Sequence, residues 1–137
     1  GAPNPGPLRS MQEPWGFDWL FRTDKPLQDA TDEQRRQRDA KRVTVVNELI
    51  HFTCKVLTRA HQKGIRWSLE NPRGSLLWIL EPVQELMRLE GIHCTDMQMC
   101  MHGGARDVWI RLRSNILALR SLSLKCDRWF GPRRHVD

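Results

Sequence analysis

Thr31-Asp32-Glu33-Gln34 has the form of a capping box, with Thr31 as N-cap and Gln34 at the third helical position. The helix it starts is expected to run over 32–63, where Gly64 supplies the stop. The rest of a 137-residue chain must then be arranged along that one rod. Its first turns, Asp32 to Arg42, are charged all round, which predicts exposure to solvent. Its second half places Val43, Val46, Ile50 and Leu57 on one face, with Val45, Leu49, Phe52 and Val56 beside it. A stripe that wide predicts a helix buried against a sheet.

The flanking segments supply that sheet. Ile65-Arg66-Trp67-Ser68-Leu69 alternates apolar and polar residues and reads as a strand, ended by Glu70-Asn71-Pro72 because proline stops the ladder. Ser75-Leu76-Leu77-Trp78 is a short turn, and Pro82 suits the start of a helix over 82–90 with Val83, Leu86 and Met87 inward and Gly91 as its stop. A second strand is expected over Ile92 to Met99 and a third over Asp107 to Arg113, after a turn at Gly103-Gly104. Ile116 to Leu122 closes the order with a short helix. Trp67, Leu69, Val83, Leu86 and Ile110 are the expected core. Before all this, residues 1–30 carry five prolines and read as an irregular arm. Within it, Glu13-Pro14-Trp15-Gly16-Phe17-Asp18-Trp19-Leu20-Phe21 is suited to dock its rings on the domain's own core, or to bind a partner as a peptide. The layout is therefore arm (1–30), α/β half-domain (31–125) and basic tail (126–137).

Composition narrows the classes. No apolar run approaches the roughly 20 residues of a spanning helix, and no signal-peptide pattern precedes Met11. A start at Gly1 without an initiator methionine suggests a piece of a longer protein. Four cysteines (Cys54, Cys94, Cys100, Cys126) are too few for a secreted disulfide scaffold, so reduced thiols in an intracellular protein are expected. The net charge of +6 is concentrated in residues 92–137, which hold eight basic against four acidic side chains. That excess suits a polyanion or simply a solvated basic surface.

Glu70-Asn71-Pro72 carries the clearest chemistry. Open α/β sheets place ligands at the carboxyl ends of their strands, where this tripeptide falls. A carboxylate there accepts hydrogen bonds from an amine or ring nitrogen, and donates a proton if burial raises its pKa. The plain alternative is an Asn-Pro turn leaving a strand.

Glu70-Asn71-Pro72, Ser75 and Leu77-Trp78 resemble a pattern in a divergent branch of the cytosine-5 DNA methyltransferase family. Asp96, Cys100-Met101-His102-Gly103 and Asn115 continue the resemblance, and Gly1-Ala2-Pro3 with Pro7-Leu8-Arg9-Ser10 looks like the stretch after that branch's catalytic loop. The resemblance implies the C-terminal half of a Rossmann-like methyltransferase core. It implies that Glu70 is the catalytic residue that contacts the Watson–Crick edge of a flipped cytosine, with Asn71 and Pro72 shaping the base pocket. Counted from Gly103, the family's two arginine positions fall on Val108 and Ile110, with Arg106, Arg111 and Arg113 near them but out of register. Those three are the expected nucleic-acid-binding residues. Strand alternation puts Arg111 and Arg113 on one face.

By the same resemblance the parent protein uses S-adenosylmethionine, acts on DNA in an intracellular, nuclear-compatible setting, and pairs this segment with the upstream half of the same chain. The family's nucleophile sits in a Pro-Cys dipeptide and its cofactor on a glycine-rich loop; neither occurs in residues 1–137, so this segment alone is expected to be inactive. A non-catalytic nucleic-acid-binding or structural remnant of the fold is the rival reading. His93-Cys94-x5-Cys100-x-His102 also invites zinc, but an extended 94–100 separates its ends by about 20 Å at about 3.3 Å per residue. No metal is expected. Buried strand cysteines are the reading preferred there.

Overall fold

The computed structural model describes residues 7–24 and 27–126. These residues fall into two compact units. The first takes the described residues up to Val56 with Leu76–Gln84, and the second takes Leu57–Ser75 with the described residues from Glu85 onward. The expected basic tail lies outside the described residues beyond Cys126, as does Gly1-Ala2-Pro3. The chain mixes helix with a small three-stranded antiparallel sheet, and so belongs to the α/β class in general.

In the first unit the arm forms one short helix, α1 (Asp18–Phe21), and lies along α2 (Ala30–Gln62). The long helix is present, but its cap is not Thr31. Asp29 Oδ1 accepts the amides of Thr31 (2.7 Å) and Asp32 (3.1 Å), and the Asp29 carbonyl accepts the amide of Glu33. Asp29 is thus the N-cap, and these amide bonds hold its carboxyl below the usual range. Glu33 reinforces the same end by accepting from the Leu27 amide, Arg36 and Gln37.

The exposure expected along α2 is reversed. Arg36 and Asp39, in the charged half, are 6% and 4% exposed, while Leu49 and Phe52, in the apolar half, are 59% and 64% exposed. Val45, Val46 and Val56 are exposed as well. The reason is the identity of the partner. The arm presents backbone carbonyls, and polar side chains of α2 meet them: Arg36 Nη1 donates to Leu20 O (2.8 Å) and Asn47 Nδ2 to Trp15 O (2.8 Å). Arg9, from the arm, donates in return to Val43 O (3.3 Å). Trp15 stacks on His51 with centroids 4.9 Å apart. The arm's rings are not its deepest anchor: Leu20 is fully buried, whereas Trp19 and Phe21 stay exposed. Gly16, at φ +118°, lets the arm turn against Val43, whose Cγ1 would stand 2.6 Å from any added Cβ. Val43, Trp78, Leu80 and Val83 are buried in this unit.

In the second unit the strands are β1 (Ser68–Pro72), β2 (His93–Gln98) and β3 (Trp109–Ser114), in the order β1-β3-β2. β1 begins three residues later than expected. Asn115 takes over the missing ladder: its Oδ1 accepts the Trp67 amide (2.9 Å) and its Nδ2 donates to Ile65 O (2.8 Å). Ser114 Oγ also donates to Trp67 O. β1 does end at Pro72, but the proline is part of the ladder and does not break it. Pro72 pairs with Ile110, and the next residue, Arg73, donates its amide to Trp109 O (2.9 Å). Donors alternate sides along an antiparallel strand, so Pro72 occupies a position whose amide would point away from β3. α3 (Glu81–Met87) follows a 3-10 turn at Leu76–Ile79, and further 3-10 turns lie at Met99–His102 and Leu117–Leu122. Trp67, Leu86, Cys100, Ile110 and Leu112 are buried in this unit, while Leu69, expected in the core, is only half-buried.

Candidate functional site

The register of the sheet decides which candidate residues meet. β3 alternates half-buried Trp109, Arg111 and Arg113 with buried Ile110, Leu112 and Ser114. Paired residues share a face, so Asn71, opposite Arg111, and Asp96, also opposite Arg111, form one row across the sheet. Glu70 is opposite Leu112 and Pro72 opposite Ile110, which puts both on the other face. The sheet therefore brings Asn71, Arg111 and Arg113 together and separates Glu70 and Pro72 from them. Arg106 is exposed in the turn before β3, its carbonyl accepting the Val108 amide (3.0 Å).

The arginine face is built around Asp96. Met99 donates its amide to Val108 O, which fixes Asp96 and Arg111 as a non-hydrogen-bonded pair, the kind whose side chains approach most closely. Arg111 grips Asp96 with two parallel bonds, Nε to Oδ1 at 2.7 Å and Nη2 to Oδ2 at 2.8 Å. Arg73 Nε adds a contact to Oδ2 at 3.3 Å, and its guanidinium lies 5.1 Å from the centre of the Trp109 ring. The Arg111 hydrogen bonds hold the Asp96 carboxyl below its usual range and raise Arg111 in turn. Arg113 has a buried Nε without a partner among the described residues. Two guanidinium groups thus share one carboxylate, with Arg113 beside them, and the face keeps a positive excess.

Two carboxylates lie on the strands, and they differ. Asp96 is engaged by two arginines. Glu70 is exposed at the edge strand, and its carboxylate has no hydrogen-bond or ion-pair partner among the described residues. Sequence reasoning missed Arg73 and the pairing of Asp96 with Arg111. Alternation gives faces but not register, and register is what sets Asp96 opposite Arg111.

Cys94 is exposed, its thiol 3.9 Å from Asp96 Oδ1, and Cys100 is buried in the 3-10 turn after β2; neither is a buried strand cysteine. Among the described residues no three His, Cys, Asp or Glu side chains gather as a metal site, and no helix is long and apolar enough to cross a membrane. Comparison with protein-family models, curated proteins and solved structures finds no match for this chain.

Proposed function

We propose that this chain is the base-binding part of a protein resembling an S-adenosylmethionine-dependent DNA cytosine methyltransferase, with Glu70 at the edge that meets an extruded cytosine. The open carboxylate of Glu70 carries this reading. Glu70 is the middle residue of β1, and Asn71 and Pro72 complete the strand toward the carboxyl end, where open α/β sheets take ligands. β1 and β2 both run antiparallel to β3, so they run parallel to each other, and α3 lies on the connection between them. A strand–helix–strand connection between parallel strands is the kind from which Rossmann-like sheets are built, here with the antiparallel β3 between the two strands, and it supports the finer assignment to such a core. A carboxyl group can accept from the cytosine amino group, or donate to N3 when protonated, once the base has left the stack.

The cofactor does not fit these residues. The described glycines at positive φ each close a turn: Gly16 in the arm, Gly64 after α2, Gly91 after α3 and Gly103 after the Met99–His102 turn. None belongs to a glycine-rich run able to cradle S-adenosylmethionine, so no methyl-transfer step is assigned to this chain.

One observation favours the rival reading of a non-catalytic nucleic-acid binder. Ile110, at one of the family's arginine positions, is 9% exposed and faces the core, while Arg111 beside it is held by Asp96. Anisotropy titrations with a duplex containing a C·A mismatch and its matched counterpart separate the two. A base-binding edge gives tighter binding to the mismatch, because extrusion costs less there, and Glu70→Ala abolishes the preference. Equal affinity for both duplexes defeats the proposal. If binding also weakens with salt, and Arg113→Ala lowers the slope by about 0.9, the basic face alone is responsible.

A further inference from the structure

The segment after β3 folds back over the turn that follows β2. Two bonds fasten it. His102 Nε2 lies 2.9 Å from Leu122 O, and the Cys126 amide donates to Gln98 Oε1 at 2.6 Å. Gln98 is itself held from its other end, its Nε2 donating to Asp107 Oδ1 at 2.7 Å. With Gln98 fixed, its bond to the Cys126 amide seats Cys126 near Cys100, two residues beyond Gln98, close enough for the Cys126 side chain to raise the Cys100 thiol. Cys100 is 4% exposed and Cys126 half-buried, and neither is in a disulfide.

We propose that Cys100 and Cys126 are a paired oxidation site that closes to an intramolecular disulfide on exchange with a small-molecule disulfide. The more accessible Cys126 thiolate attacks the external disulfide, releases one thiolate and forms a mixed disulfide. Cys100 then loses its proton and attacks the Cys126 sulfur, releasing the second small thiol. The balance is two protein thiols plus one external disulfide giving one protein disulfide plus two external thiols. Burial and the Cys126 side chain raise the Cys100 thiol, so Cys126 is the entry point and Cys100 the resolving partner. The link ties the chain after Leu122 to the end of β2, close to the arginine face.

The test uses the 137-residue chain carrying Cys94→Ser, because Cys94 and Cys100 share a tryptic peptide. It is equilibrated with oxidised glutathione, alkylated and digested without reduction. The expected result is a peptide pair joined through Cys100 and Cys126, with loss of two alkylatable thiols and no covalent dimer. Adding Cys126→Ser removes the linked pair and leaves Cys100 alkylated after denaturation. Full alkylation of both cysteines after equilibration, or glutathione retained on Cys126 with Cys100 still a thiol, overturns the proposal. Should Cys126→Ser unfold, mapping the linked peptides of the parent chain decides the question in its place.

Discussion

The two faces of α2 contradict each other's chemistry. At about 100° per residue, Arg36, Asp39, Val43, Asn47 and Cys54 fall along one side, and Val45, Leu49, Phe52 and Val56 along the opposite side. The mostly polar side is covered and the apolar side is open. Hydropathy alone ranks them the other way. What decides the matter is the covering segment: a proline-rich arm brings carbonyls that its own backbone does not satisfy, and only donors such as Arg36 and Asn47 can answer them. A helix face packs where its partner's needs are met. Greasiness is one such need among several.

The contrast is broken most directly by truncating one residue on each side. Leu20→Ala removes the arm's fully buried anchor, and should cost roughly 2–5 kcal/mol in a urea titration. A loss under about 1 kcal/mol would mean that the arm is not what closes the polar side. Gly16→Ala tests the same contact from the backbone. It forces a left-handed φ on an L-residue against Val43 and the Phe21 ring, at a cost of about 1–3 kcal/mol, with the expected sign a lower melting temperature.

Acid sharpens the comparison at the start of the helix. Arg36 first, then the Leu27 amide and Gln37, bring the Glu33 carboxyl down to about 2. A carboxyl lower in the folded than in the unfolded state stabilises fully above its unfolded pKa, and that contribution fades as pH falls toward 2. Glu33→Gln should therefore be less stable than the parent at neutral pH, with the gap closing between about pH 4.5 and 2. A gap independent of pH would remove the ion pair from the account. The smallest effect belongs to the open side. Leu49→Ala should leave the urea midpoint within about 0.5 kcal/mol of the parent's. A larger loss would show that the stripe is covered in solution.

These effects mark how far the sequence could be read. The positions of Gly64 and Gly91 ended α2 and α3 as expected to within a few residues, because a left-handed stop is a local property. Trp67, Val83, Leu86 and Ile110 were legible as core, since alternation and helical spacing report apolar faces. The cap at Asp29 was missed because Thr31 and Asp29 offer the same chemistry two residues apart. The start of β1 was misplaced because Asn115, nearly fifty residues on, does the work of a ladder for Ile65 and Trp67. At the candidate site, Glu70, Asn71 and the strand arginines were identifiable as types. That Asp96 would engage Arg111 and leave Glu70 open depends on register, which no local pattern encodes.

Pro72 also governs how the sheet can grow. β1 is an edge strand, and the positions that turn their amides outward are Ser68, Glu70 and Pro72. The first two have a donor to offer and the third has none. A strand arriving from outside gains hydrogen bonds at one end of β1 and meets a blank at the other, beside Arg73. An edge of that kind is able to accept one short segment but cannot template an indefinite stack, because stacking needs every outward donor in turn. Pro72 is thus also a guard against fibre formation.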